Sequence, residues 1–239
     1  MNRVARARAA QRLATREVAV AHRVAGLLLE YPSAELVALV PGLRAALDEL
    51  PPGTAEPLRR TVEHVAATPL GELEAQYVET FDLRRRCSLY LTYYAYGDTR
   101  RRGVALVEFK QAYRAAGLEA SDDELPDHLA VVLEFASGMD PVARASGLRL
   151  LLAHRAGLEL LRLALLDAGS PWGGAVAAVC ATLPPLDGDE RTAVARLAAE
   201  GPPDEEVGLD GALDPTLHTS LPAVQQPYAT SASTPGGRR

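Results

Sequence analysis

Residues 77–103 read Tyr77-Val-Glu-Thr-Phe-Asp-Leu-Arg-Arg-Arg-Cys-Ser-Leu-Tyr-Leu-Thr-Tyr-Tyr-Ala-Tyr-Gly-Asp-Thr-Arg-Arg-Arg-Gly103. Four tyrosines, Tyr90, Tyr93, Tyr94 and Tyr96, are crowded between the triplets Arg84–Arg86 and Arg100–Arg102. On β-propensity the run Leu89–Tyr94 suits a strand. An isolated strand is not stable, and the rest of the chain offers it no partner. Short helical or irregular turns packed on a helical core are therefore predicted, and the chain reads as all-α, a single-domain multi-helix bundle.

Upstream, Val20, Val24, Leu27 and Leu28 recur at helical spacing until Tyr31-Pro32, where proline blocks continuation. Ser33 is placed to cap a second helix, which Pro41-Gly42 is expected to break or kink before Leu43–Leu50. Leu58, Val62 and Val65 carry a third helix ending near Thr68-Pro69, and Leu73, Tyr77, Val78 and Phe81 a fourth. Such short, tightly connected helices point to a bundle rather than a coiled coil.

Downstream, Asp98 or Thr99 is placed to cap a helix with the stripe Leu106, Phe109, Tyr113 and Ala116, ended by Gly117. Ser121-Asp-Asp-Glu124 has capping-box spacing, with Pro126 in the first turn of a helix running through Asp127, His128 and Leu129 to Phe135. One long helix is expected from about Pro141 to Ala168. Ser170-Pro171 opens another through Cys180, and Asp187-Gly-Asp-Glu190 a last one to Ala199. The basic segment 1–16 reads as a flexible N-terminus and 17–200 as the helical domain. The Pro/Gly/Asp/Glu/Ser/Thr-rich stretch 201–239 lacks periodicity and reads as a disordered tail.

Composition agrees. Of 239 residues 48% are hydrophobic but only 5% aromatic, so the core is built from aliphatic helix contacts. A net charge of −6 gives no global attraction for nucleic acid. Cys87 and Cys180 form no Cys-x-x-Cys pair and no histidine stands at zinc-ligand spacing, so neither a metal nor another cofactor is expected. The apolar stretch after Arg16 contains His22, Arg23 and Glu30, which rules out a signal-type or spanning segment there; a cytoplasmic protein without stable membrane insertion is expected.

No phosphate loop, dinucleotide fingerprint or paired acid/base set is present. On a helix, Asp127 and His128 would point about 100° apart, too far for one to orient the other as in a triad. Catalysis is not expected. His154, between Leu151 and Leu158, reads as a satisfied core histidine. Arg100 and Arg102 could clamp a carboxylate or, with the free N–H groups of their helix start, hold an anion. A helical anion- or nucleic-acid-binding module is thus one reading of the arginine triplets.

Taken together, Tyr77-x-x-x-Phe81-Asp82, Ser88-Leu-Tyr-Leu91, Asp98-x-Arg100-x-Arg102-Gly103 and Glu124-Leu-Pro-Asp-His-Leu129 with Leu133-Glu-Phe135 resemble the NarJ-type nitrate reductase assembly chaperones, of the group that includes TorD and DmsD. The resemblance spans roughly residues 18–200, with its specific motifs between 77 and 135. It implies a non-enzymatic, all-helical chaperone. Its partner would be the apo catalytic α subunit of respiratory nitrate reductase, held by its N-terminal segment for molybdenum cofactor and iron–sulfur insertion before membrane attachment. Contact with molybdenum cofactor delivery proteins is a further implication. A sister chaperone for a DMSO or TMAO reductase is the nearest alternative.

The family's elements fall on Asp98, Arg100, Arg102 and Gly103 and on Pro126, Asp127 and His128. Ala130 stands where many relatives have proline, which only favours the helix. A helix-in-groove mode of peptide capture fits this arrangement. Tyr90, Leu91, Tyr94, Leu129, Leu133 and Phe135 are expected to form the peptide surface, with Asp127 and Glu134 facing a basic peptide, and Asp98, Arg100, Arg102 and His128 complete the expected client-binding set. For the arginines, Asp82 and Asp98 are the expected carboxylate partners.

Overall fold

The computed structural model describes residues 16–119 and 123–201, which fall in one contact unit, Met1–Glu205. The expected N-terminal segment (apart from Arg16), the capping box at Ser121 and the expected tail beyond Gly201 lie outside the described residues. Among the described residues are eleven α-helices and no strand. They are α1 Arg16–Leu28, α2 Ala34–Leu47, α3 Pro52–Ala67, α4 Leu70–Tyr77, α5 Tyr93–Tyr96, α6 Arg100–Ala115, α7 Leu129–Ser137, α8 Pro141–Ala153, α9 Arg155–Asp167, α10 Gly173–Thr182 and α11 Gly188–Glu200. The all-α expectation holds, and residues 83–97 form the short helical turns expected of them, including a 3-10 turn at Arg85–Cys87.

Several helix ends follow from local chemistry. Ser33 accepts the Leu36 amide at the start of α2, and Asp187 and Glu190 cap α11 reciprocally. After α6 the chain turns at Gly117 with φ +74°. The Leu118 amide reaches back to the Tyr113 carbonyl and the Gly117 amide to that of Arg114. That pair of bonds is a Schellman ending, which needs the left-handed residue glycine supplies.

Three expectations are corrected. Of the break or kink expected at Pro41-Gly42, the break does not occur, and α2 runs through as one helix. Val40 and Leu43 stay buried on either side, so core packing outweighs the hydrogen bond that proline removes. The long helix from Pro141 divides at His154, whose φ of −104° and ψ of 24° leave the helical region. There the His154 side chain turns toward the Leu91 backbone and packs on the Phe109 ring at 5.1 Å, a tertiary pull that periodicity does not register. Finally, α7 begins only at Leu129, so Asp127 and His128 precede the helix.

The bundle is organised around α10, which is buried on most of its circumference and packs on α1, α3 and α9. A helix apolar all round belongs at the centre. α1 packs on α7, α7 on α8, and α2 on α3. Close approach depends on small residues: a Cβ on Gly174 would lie 2.2 Å from the Pro57 carbonyl oxygen of α3, and one on Gly147 2.6 Å from the Ala136 backbone of α7. Beside α10, Trp172 sits edge-on to Tyr77, Phe81 and His64, and the Tyr77 hydroxyl donates to the Leu29 carbonyl at 2.9 Å. The fourth helix widens into a π-turn over Val78–Asp82, which turns Thr80 and Phe81 inward.

His22 of α1 is wholly buried, with Nε2 2.9 Å from Thr182 Oγ1 of α10. Burial pushes its pKa down to about 4, against a smaller upward pull from the Ala136 backbone. The neutral ring is the form the fold accepts. Its contribution is complete above the unfolded value near 6.5 and is lost as pH falls toward 4, up to roughly 3 kcal/mol. Denaturant unfolding between pH 7 and 4.5 should show this loss, and His22→Gln should reduce the slope. A Gly174→Ala exchange should lower stability by about 1–3 kcal/mol, because the carbonyl it meets is fixed in α3; thermal melts measure it.

Candidate functional site

The two stretches that carry the family resemblance meet. Tyr90 and His128 form an antiparallel backbone bridge. The Leu91 amide donates to the Asp127 carbonyl at 3.1 Å, and the Leu129 amide to the Leu89 carbonyl at 2.8 Å. The strand-like character of Leu89–Tyr94 thus survives as this one bridge. Its partner is the turn before α7, which periodicity reads as helix.

Beneath the bridge lies a buried polar network. The Asp127 carboxylate is fully buried, and its Oδ2 accepts from the Thr92 amide at 3.1 Å and the Thr92 hydroxyl at 2.5 Å. Thr92 Oγ1 in turn accepts from Arg102 Nε at 3.1 Å. Arg102 Nη2 lies 3.8 Å from Asp127 Oδ2, and Nη1 donates to Asp98 Oδ1 at 3.4 Å, one turn back along the chain. One guanidinium therefore joins the carboxylates of both elements through a single threonine. Its Cζ stands over the Tyr90 ring, 5.1 Å from the centroid.

At the edge of the network, the Tyr90 hydroxyl donates to Glu124 Oε1 at 3.0 Å, and its ring stands edge-on to His128. Burial, with the Glu124 carboxylate beside it, pushes the Tyr90 hydroxyl up to about 12. Burial pushes the His128 pKa down, opposed by Glu124 and Asp127. Underneath, the Tyr113 hydroxyl donates to the Pro126 carbonyl at 2.5 Å, and Tyr94 donates to the carbonyls of Arg86 and Ser88. Each tyrosine fixes a turn that has no helix to satisfy its carbonyls.

The expected surface residues divide sharply. Leu91, Tyr94, Leu129, Leu133 and Phe135 are buried core, Leu129 and Leu133 wholly so, and do not form an open surface in this structure. Asp127, with no exposure, cannot meet a peptide from solvent either. Aliphatic side chains on the inner faces of α7 pack against α1 and α8, and that packing removes them from the surface. Tyr90 is half-buried, while Asp98, Arg100, Glu124 and Glu134 are exposed. Glu134 pairs with Arg23 of α1 at 2.7 Å. Asp98 is an arginine partner as expected, of Arg85 and Arg102, whereas Arg84 pairs with Glu79 at 2.6 Å in place of the expected Asp82. Thr99 precedes α6, but no capping bond from its side chain forms.

Thr92 and Tyr113 were not legible as parts of this site. A single threonine in an aromatic run carries no signal of its own, and Tyr113 fits the core stripe of α6 equally well. Among the described residues no group of His, Cys, Asp or Glu could hold a metal ion, and both cysteines are free and buried. None of the described helices is long and apolar enough to cross a membrane.

The described residues thus form a helical bundle whose two motif elements are joined by one buried Asp–Thr–Arg network. The family model described as "Nitrate reductase delta subunit" matches residues 47–178, more than half of the chain, and the chain belongs to that family. It is 41% identical over 163 residues to the nitrate reductase-like protein NarX of Mycobacterium tuberculosis, covering 68% of this chain and 24% of that protein. It is 33% identical over 123 residues to the probable nitrate reductase molybdenum cofactor assembly chaperone NarJ of Bacillus subtilis, covering 50% of this chain and 65% of that one. To the NarJ chaperone of Escherichia coli K12 it is 34% identical over 125 residues, 51% of this chain and 53% of that one. The chain thus spans only part of the length of each of these relatives.

Thr92→Val keeps the shape but removes the hydroxyl that serves Asp127 and Arg102 at once. It should cost about 2–4 kcal/mol in denaturant unfolding. Tyr90→Phe, which loses only a bond at the exposed rim, should cost less than about 1 kcal/mol.

Proposed function

We propose that this chain is a non-enzymatic assembly chaperone for a nitrate reductase. It binds the apo catalytic α subunit by its N-terminal segment in the cytoplasm and holds it for molybdenum cofactor and iron–sulfur insertion before membrane attachment. The observation that carries this reading is the meeting of the family's two elements, Asp98–Gly103 and Pro126–Leu129, in one buried network, in a chain similar to two NarJ chaperones. The network holds the turn before α7 and sets Tyr90 and Glu124 at its rim, while Glu134 stands exposed on α7, paired with Arg23 of α1. A basic amphipathic peptide meets those carboxylates, with its apolar side toward the α7 edge. Leu91, Tyr94, Leu129, Leu133 and Phe135 act from beneath, by shaping the backbone the peptide rests on; Asp127, Arg102 and His128 do the same through the network.

Calorimetry with the α-subunit N-terminal peptide tests the site. Glu134→Arg and Glu124→Ala, both at exposed positions, should each weaken binding roughly threefold to tenfold, and raising salt should weaken it further. Unchanged affinity in both variants would remove the rim from the binding surface. Failure of the full chain to retain the α subunit from nitrate-grown cells would remove the function itself.

A further inference from the structure

A concave feature lies away from the turn before α7. A groove of about 950 Å³ opens between the segment 84–98 on one side and α9 with the end of α11 on the other, and none of residues 124–135 lines it. Its volume corresponds to about two turns of helix with side chains.

The walls carry opposite charge. The 84–98 wall presents Arg84, Arg85 and Arg86, all exposed, against the single carboxylate of Asp98. On the facing wall the charged lining residues among the described residues are Asp167 and Glu200. The ion pairs these groups already make are exposed, Arg84 with Glu79, Arg85 with Asp98 and Glu200 with Arg196, so an incoming charge exchanges with them at little cost. Between the walls α9 leaves apolar surface uncovered, with Leu163 43% exposed and Ala164 beside it.

The α11 side of the groove is weakly anchored. α11 packs on α9 yet has no buried residue, and Leu197, which faces the groove, is only half-buried. It also lies beyond residue 178, where the family match ends. This wall can therefore move without disturbing the core.

We propose that the groove seats an amphipathic helix of a partner protein, its apolar stripe on Leu163 and Ala164, an acidic flank facing Arg84–Arg86 and a basic flank facing Asp167 and Glu200. The inference goes beyond the nitrate reductase reading and does not depend on it, because opposite-signed walls select by charge pattern whatever the client is. A helix of uniform charge meets one matching wall and one repelling wall.

The test uses the full chain and three synthetic helical peptides with the same Ala/Leu stripe, one with Glu on one flank and Lys on the other, one with Glu on both and one with Lys on both. The two-signed peptide should bind saturably in fluorescence anisotropy, about tenfold tighter than either uniform one. Combined Arg84→Glu and Arg86→Glu should weaken it about tenfold, and Asp167→Lys several-fold, with circular dichroism unchanged because these side chains are exposed. Equal binding of the three peptides, no saturable binding of the two-signed one, or affinity indifferent to the charge reversals would each overturn the proposal. Loss of α-subunit capture in the earlier test leaves these outcomes unaffected.

Discussion

A carboxylate taken fully out of water depends on the few donors it meets, and Asp127 is that carboxylate: its Oδ1 has no hydrogen-bond partner among the described residues, so its bonding falls to Oδ2. Its Oδ2 takes both donors of Thr92, and the Arg102 guanidinium stands 3.8 Å away and bonds the same threonine. Because these groups come from three separated stretches, satisfying one charge fixes the position of the aromatic segment, the start of α6 and the turn before α7. Loss of any member leaves a buried polar group without its partner, which is more destabilising than the net worth of the bond. The site is therefore held by specificity of pairing more than by hydrophobic gain.

The hydrophobic frame supplies the rest. α10 is lined with Ala, Val and Gly, and its small side chains let α3 approach until the Pro57 carbonyl occupies the space a Cβ on Gly174 would need. Gly157 does the same for Tyr94: a Cβ there would lie 2.8 Å from the tyrosine's own Cβ. That contact joins the aromatic segment to α9 and puts Tyr94 in position to donate to the Arg86 and Ser88 carbonyls. Aliphatic packing and the polar network thus meet at the same segment.

The binding surfaces proposed for this molecule are the rim of the turn before α7 and the groove lined by residues of the segment 84–98. Both border that segment, which is built of short turns, the 3-10 turn Arg85–Cys87 and the single helical turn Tyr93–Tyr96. Its backbone groups are satisfied partly by its own turns and partly by tyrosine hydroxyls, Asp127 and the one bridge. The binding roles follow from what these surfaces offer, carboxylates at one and opposite-signed walls at the other.

Helix existence, the caps at Ser33 and Asp187, the glycine ending at Gly117 and the all-α class were legible in the sequence, since each depends on residues within a few positions of one another. The pairing of Asp98 with Arg102 has the same local origin, an i,i+4 spacing on one helix start. Tertiary structure alone decided that α2 passes through Pro41, that His154 divides α8 from α9, and that Asp127 leaves the helix to bond Thr92. Each of those outcomes trades a local backbone preference for a contact with a residue far along the chain, 35 positions away for Thr92 and Asp127. It also decided which half of the motif residues faces solvent. Leu129 and Leu133 share their residue type with surface anchors elsewhere, and only the packing of α1 and α8 around α7 makes them core.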